Sequence, residues 1–162
     1  IVNYIGFRIY IIFFCLDIMG KYNNDIEKLG EYFRNYSVDN YKNDWKLCMS
    51  NSFKKSYKKF SNIEYWMDKF KERMLLLGIV SLIDGVYVGE YNKNYDLGSH
   101  SLIYFESELS DNEVRSKMWK WWSNKGSVDI KKYNDEGFDF YISKFLYKGW
   151  ESNFNYLGNN RI

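Results

Sequence analysis

Tyr141, Lys144 and Lys148 recur at steps of three and four residues in the segment Tyr141-Ile-Ser-Lys-Phe-Leu-Tyr-Lys148. On an α-helix, at about 100° per residue, the three share one narrow stripe. Phe138, Ile142 and Phe145 lie on the neighbouring side and can bury against a sheet. A phenol has an ordinary pKa near 10, so it needs help to act as a nucleophile. Ammonium groups beside it stabilise the phenolate and the charge that grows on phosphate oxygens under attack. A divalent cation would polarise such a phosphate further. The stripe therefore suits attack on a phosphodiester. It also suits the solvated face of an ordinary amphipathic helix, since the chain holds 16 Tyr and 23 Lys and Arg. His100 is the single histidine of the chain, which excludes any multi-histidine metal site. Lys54, Lys55 and Lys58, with Lys46 and Lys59, gather around an expected strand and turn. They form either a phosphate-contacting patch or a solvated surface.

The elements that must position these groups follow from periodicity. Ile26, Leu29 and Phe33 have helical spacing within residues 25–36. Trp45 to Met49 reads as a short strand. Ile63, Trp66, Met67, Phe70, Met74 and Leu77 recur at three- and four-residue steps, so a helix capped by Ser61 or Asn62 is expected, with Gly78 near its end. Val86 to Tyr91 and Ser101 to Phe105 read as strands of one antiparallel hairpin around the polar stretch Asn92 to Gly98. Ser110 and Glu113 have capping-box spacing, and the helix after them should turn Val114, Met118 and Trp121 inward. Val128 to Lys132 is a further strand, and a last helix runs from Asn134 or Asp135 to about Lys148. The order implies an α+β layer fold, a central antiparallel sheet with helices packed on one face. The division expected is an N-terminal extension over 1–40 and one domain over 41–162.

Composition narrows the classes. At 162 residues the chain is long enough for a real core, and 21% aromatic content excludes a disordered one. Proline is absent while Asn, Lys, Tyr, Ile and Phe abound, which reads as AT-rich coding rather than as function. A net charge of +2 neither demands nor excludes a polyanion. Cys15 and Cys48 stand far apart, against a disulfide framework or a zinc knuckle, so a reducing intracellular setting fits, cytoplasmic or within an organelle. The apolar run Ile9 to Leu16, bounded by Arg8 and Asp17, is too short to span a bilayer. It reads as a buried strand or an added extension, and no membrane partner is expected. The chain opens on Ile1, with Met19 a candidate start.

Several segments, in order, resemble a known family. Tyr141-Ile-Ser-Lys-Phe145 is similar to the Y-x-x-K-Y motif on a late helix of rolling-circle replication initiators of the HUH endonuclease superfamily. Met118-Trp-Lys-Trp-Trp122 to Gly126-Ser-Val-Asp-Ile130 looks like the lead-in to that motif. Val88-Gly-Glu-Tyr91 followed by Gly98-Ser-His-Ser-Leu-Ile-Tyr-Phe105 is similar to the family's metal strand pair, and Cys48-Met-Ser-Asn-Ser-Phe53 to its first motif. The resemblance covers roughly residues 45–149 and is nearest to initiators of single-stranded-DNA phages and related plasmids. It implies a ferredoxin-like or RRM-like sheet, Tyr141 as nucleophile with Lys144 assisting, and Mg²⁺ or Mn²⁺ held by Glu90 and His100. It also implies nucleic-acid contacts from Lys54, Lys55, Lys58 and Lys148. Two positions depart from the family: Gly98 stands where the first His belongs, and Phe145 stands where the tyrosine motif has its second tyrosine, so Tyr141 would act alone. Asp96 is near enough in sequence to stand in for the missing ligand.

The function this implies is nicking of single-stranded origin DNA, with a 5′-phosphotyrosine intermediate and a free 3′-hydroxyl. Tyr141 and His100 should then face one cleft across the sheet. The P-loop pattern G-x-x-x-x-G-K-[ST] is absent, so unwinding would come from a host helicase, with a polymerase extending the 3′ end. The alternatives are a catalytically inactive nucleic-acid-binding protein of the same fold, an organelle-encoded subunit of a ribonucleoprotein particle, or a plain structural protein.

Overall fold

Small polar and apolar residues alternate in the first strand, β1 (Leu47–Phe53), so that Leu47 and Met49 are buried on one face while Ser50 points to the other. The computed structural model describes residues 27–28, 30–33, 35–36, 40, 44–92, 94, 96–134, 137–138, 142 and 154–158. After β1 come helix α1 (Phe60–Leu76), the long hairpin β2 (Leu82–Tyr91) and β3 (Leu97–Glu106), helix α2 (Asp111–Ser123), β4 (Gly126–Lys132) and the short β5 (Phe154–Tyr156). The five strands form one sheet in the order β4-β1-β3-β2-β5, and every neighbouring pair is antiparallel. The first six elements make two interlocked split β-α-β units, β3 lying between β1 and β2, and β1 between β3 and β4. The α+β class with a central antiparallel sheet is therefore present. No helix among the described residues is long and apolar enough to cross a membrane.

The helix ends show which local signals hold. The capping box of α2 forms: the Glu113 backbone N–H donates to Ser110 Oγ, and the Ser110 N–H donates to the Glu113 carboxylate at 3.0 Å. At the end of α1, Gly78 takes φ +61°. The Ile79 N–H then reaches the Met74 carbonyl and the Gly78 N–H that of Leu75, the paired bonds of a Schellman motif. The start of α1 differs from expectation. Its N-cap is Lys59, with no side-chain cap, and Asn62 instead donates its side-chain amide to the Lys59 carbonyl. Packing decides this: the helix begins early enough to bury Phe60 against Tyr87, beneath Gly89, where a Cβ would lie 2.9 Å from the Phe60 ring.

Both faces of the sheet are covered, not one. On the helix face, Leu47, Met49, Tyr87, Ile103, Phe105 and Ile130 pack against Ile63, Met67, Phe70, Val114, Met118 and Trp122. The inward aromatic of α2 is thus Trp122, 1% exposed, and not Trp121. Trp122 meets Phe53 and Phe70, while Trp121 lies edge-on to it at the seam with α1 and edge-on to Trp66. On the other face, Val86, Val88, Leu102 and Tyr104 are buried with Phe33, Tyr36, Trp45, Tyr133 and Ile142. Phe33 and Tyr36 come from helical positions within 27–36, so residues from the stretch read as an extension contribute to this second cluster.

Strand ends also moved. β2 starts at Leu82 rather than Val86, and β3 at Leu97 rather than Ser101. Asp84 and Gly85, which resemble turn residues, lie inside β2 because the Asp84 carboxylate accepts the Gly85 N–H at 2.6 Å and the Gly158 N–H. β5 was not anticipated. It pairs with β2 through Val86 to Val88, and the Leu157 N–H extends the contact to the Gly85 carbonyl.

Candidate functional site

Register places the chemistry. Ser50 on β1 is directly opposite His100 on β3 and also opposite Asp129 on β4. On β2, Val88 opposes His100, and Glu90, two residues on, sits diagonally on the same face. The result is a polar row, Asp129–Ser50–His100–Glu90, on the face away from α1 and α2. Ser50 Oγ and His100 Nδ1 are 2.8 Å apart, and His100 Nε2 lies 2.6 Å from Glu90 Oε2. The expected pair Glu90 and His100 is therefore in direct contact.

Two adjoining cavities open on this row. One, of about 390 Å³, runs from Ser50, Glu90, His100 and Asp129 toward Phe53, Asn92 and Asp96. The other, of about 300 Å³, shares Ser50, His100 and Asp129 and reaches Cys48, Lys131 and Phe138. The Phe138 ring stands edge-on to His100 at 6.2 Å between centroids. Burial pushes the Cys48 thiol up, and the Asp129 carboxylate, 2.8 Å away, raises the Lys131 ammonium.

The remaining sequence candidates fall unevenly. Tyr141, Lys144 and Lys148, with Phe145, lie outside the described residues. Phe138 and Ile142, which bracket Tyr141, are described: the first packs on His100 and the second is buried in the cluster on the same sheet face. Lys54, Lys55 and Lys58 follow β1 at the end where Asn92 and Asp96 line the larger cavity. Lys54 is exposed, Lys55 leans over the Tyr57 ring at 5.8 Å, and Lys58 is 2.7 Å from Asp96. Lys46 does not join them. Seven strand residues separate it from Lys54, roughly 25 Å of chain, and its ammonium meets Asp111 and the Phe105 ring instead. Asp96 does not serve as a spare ligand in this arrangement, because Lys58 and Ser56 hold its carboxylate and keep its pKa below the usual value.

Gly98 has a steric reason. A Cβ there would sit 2.7 Å from the Asn51 carbonyl oxygen of β1. The strands approach so closely that a first histidine has no room without backbone movement.

Could Glu90 and His100 hold a divalent cation? An octahedral ion with ligands at about 2.1 Å keeps neighbouring donors about 3 Å apart. The 2.6 Å between Nε2 and Oε2 needs a small opening, and both atoms border the cavity. Among the described residues no third His, Cys, Asp or Glu completes a set. The residues fit a two-ligand site whose other positions go to water and substrate oxygens.

Ser50 and Asp129 were not among the sequence candidates. Their signal is a polar residue on the inter-strand face, alternating with apolar ones, but it becomes readable only with the register that sets them beside His100. Comparison with known proteins found no family model, no curated protein and no solved structure that matches this chain.

Proposed function

We propose that this chain is a rolling-circle replication initiator of the HUH endonuclease type, with the ferredoxin-like sheet of that class, which nicks single-stranded origin DNA. The observation that carries this reading is the contact of His100 with Glu90, together with the place of His100 in the wall of a cavity that also includes Phe138, three residues before Tyr141 in sequence. In this reading Tyr141 attacks the phosphodiester, becomes linked to the 5′-phosphate and releases a 3′-hydroxyl that primes synthesis. Lys144 stabilises the phenolate and the developing phosphate charge. Glu90 and His100 hold Mg²⁺ or Mn²⁺, which when bound polarises the scissile phosphate. Lys54, Lys55, Lys58 and Lys148 contact the DNA backbone, and Lys58 can trade its exposed partner Asp96 for phosphate. Phe138 offers a ring on which a base can stack. A host helicase and polymerase complete replication.

A second reading keeps the fold and drops the chemistry, as a nucleic-acid-binding protein or a ribonucleoprotein subunit. The crowding at Gly98, which bars the family's first histidine, favours it. A randomised pool of single-stranded oligonucleotides separates the two. With Mg²⁺ or Mn²⁺, the initiator forms a covalent protein–DNA adduct that survives denaturing electrophoresis and disappears in Tyr141→Phe. Tight binding by the parent chain with no adduct in either metal refutes the initiator and leaves the binding protein.

A further inference from the structure

The ring of His100 is held at both nitrogens, and the two contacts are chemically unlike. A carboxylate only accepts hydrogen bonds, so the 2.6 Å contact with Glu90 puts a proton on Nε2. In a neutral imidazole Nδ1 is then an acceptor, and Ser50 Oγ must donate to it across 2.8 Å. Cation binding inverts both requirements. Nε2 must present its lone pair, so the proton belongs on Nδ1, and its partner must accept. A backbone carbonyl can do only the second of these jobs. A hydroxyl carries one donor and two acceptor lone pairs and rotates between them.

We propose that Ser50 is a positioning residue that supports His100 in both tautomers and so lets one imidazole exchange Glu90 for a divalent cation without losing its orientation. The proposal rests on the initiator reading for the cation, and on the Ser50–His100–Glu90 geometry for the ring. The exchange balances. For a neutral ring, one proton leaves Nε2 for solvent, one arrives on Nδ1, and the Ser50 hydroxyl turns from donating to accepting. The β1–β3 register holds the hydroxyl opposite the ring throughout, because both residues belong to paired central strands.

The chain's single histidine makes the test unambiguous, since every imidazole ¹⁵N signal belongs to His100. Long-range ¹H–¹⁵N spectra of the labelled full chain should show the Nε2–H form without cation and the Nδ1–H form with saturating Mg²⁺. In a Mn²⁺ titration followed by electron paramagnetic resonance, Ser50→Ala should weaken binding roughly 10- to 100-fold, the usual effect of removing an outer-shell partner. Ser50→Thr keeps the hydroxyl and should stay within a few-fold of the parent. An Nδ1–H ring in the cation-free chain, or Ser50→Ala binding Mn²⁺ as tightly as the parent, overturns the role of Ser50 and leaves the initiator reading standing. A parent chain that binds no Mn²⁺ overturns the cation assignment beneath it, and this inference with it. The spectra of the parent chain need no variant, so a poorly folding Ser50→Ala does not blunt the test.

Discussion

Adding one methyl group at Gly98 should strain the sheet beside the site. Gly98 opposes Glu90 in the β2–β3 ladder and lies one residue beyond the last β1–β3 pair, Asn51 with Ser99. A Cβ would be 2.7 Å from the Asn51 carbonyl oxygen, 0.7 Å short of the 3.4 Å at which ordinary contact begins. The obstacle is backbone, so no rotamer change relieves it, and β1 or β3 must shift. Overpacking of this kind costs about 1–3 kcal/mol. Against it stands the loss of glycine's freedom in the unfolded chain, which favours alanine by about 0.4–1 kcal/mol. With both effects at mid-range the net loss is about 1.3 kcal/mol, or about 3–5 °C in melting temperature for a chain of this size. Gly98→His carries the same Cβ, so it should lose at least as much and gain no affinity for Mn²⁺, even though it restores the family's ligand type. Thermal unfolding of the two variants, with a Mn²⁺ titration of Gly98→His, checks this. A Gly98→Ala chain as stable as the parent, or a Gly98→His chain that binds Mn²⁺ more tightly at unchanged stability, would refute the steric account.

Two further predictions concern the frame that holds the site. Burial raises the Asp84 carboxyl above its usual 3.8, despite the Gly85 and Gly158 N–H groups that favour its charge. The folded state then holds a proton that the unfolded state has released, so Asp84 contributes stability below pH 3.8 that is lost as pH rises through the raised folded value. Urea unfolding of parent and Asp84→Asn across that window should give a difference that shrinks or reverses with rising pH, and a flat difference refutes the linkage. On α2, Trp122→Ala should cost about 3–5 kcal/mol, as for a fully buried aromatic. Trp121→Ala should cost clearly less in the same denaturation assay, and equal losses would mean that the inward face is misassigned.

What sequence conveyed best was local. The Ser110 box needs only residues three apart, and the β2–β3 hairpin only a short polar connection, so both read correctly. Trp121 and Trp122 were exchanged because they are about 100° apart on the helix and α1, with Phe70, decides which one goes under. Asp84 and Gly85 fell outside the expected strand, which was read from Val86, because both types are depleted in strands. Their place inside β2 depends on Gly158, more than seventy positions away, whose missing Cβ leaves room for the Asp84 carboxylate. Of the site, Glu90 and His100 were legible as a pair because they belong to one hairpin. Ser50 and Asp129 were not, since each depends on a pairing between strands distant in sequence.

The position of the site follows from where the second face of the sheet stops being covered. Two cross-strand rows lie side by side there. One runs Lys131–Cys48–Leu102–Val86–Tyr156, and its apolar members help to build the cluster with Phe33, Tyr36 and Ile142. The next runs Asp129–Ser50–His100–Val88, with Glu90 beside it, and only Val88 belongs to that cluster. Polar side chains there cannot be buried under an apolar cover without losing hydration. The cover therefore ends between the rows, and the cavities open along the polar one. Phe138 stands at that border, touching His100 while Ile142 continues into the apolar cluster.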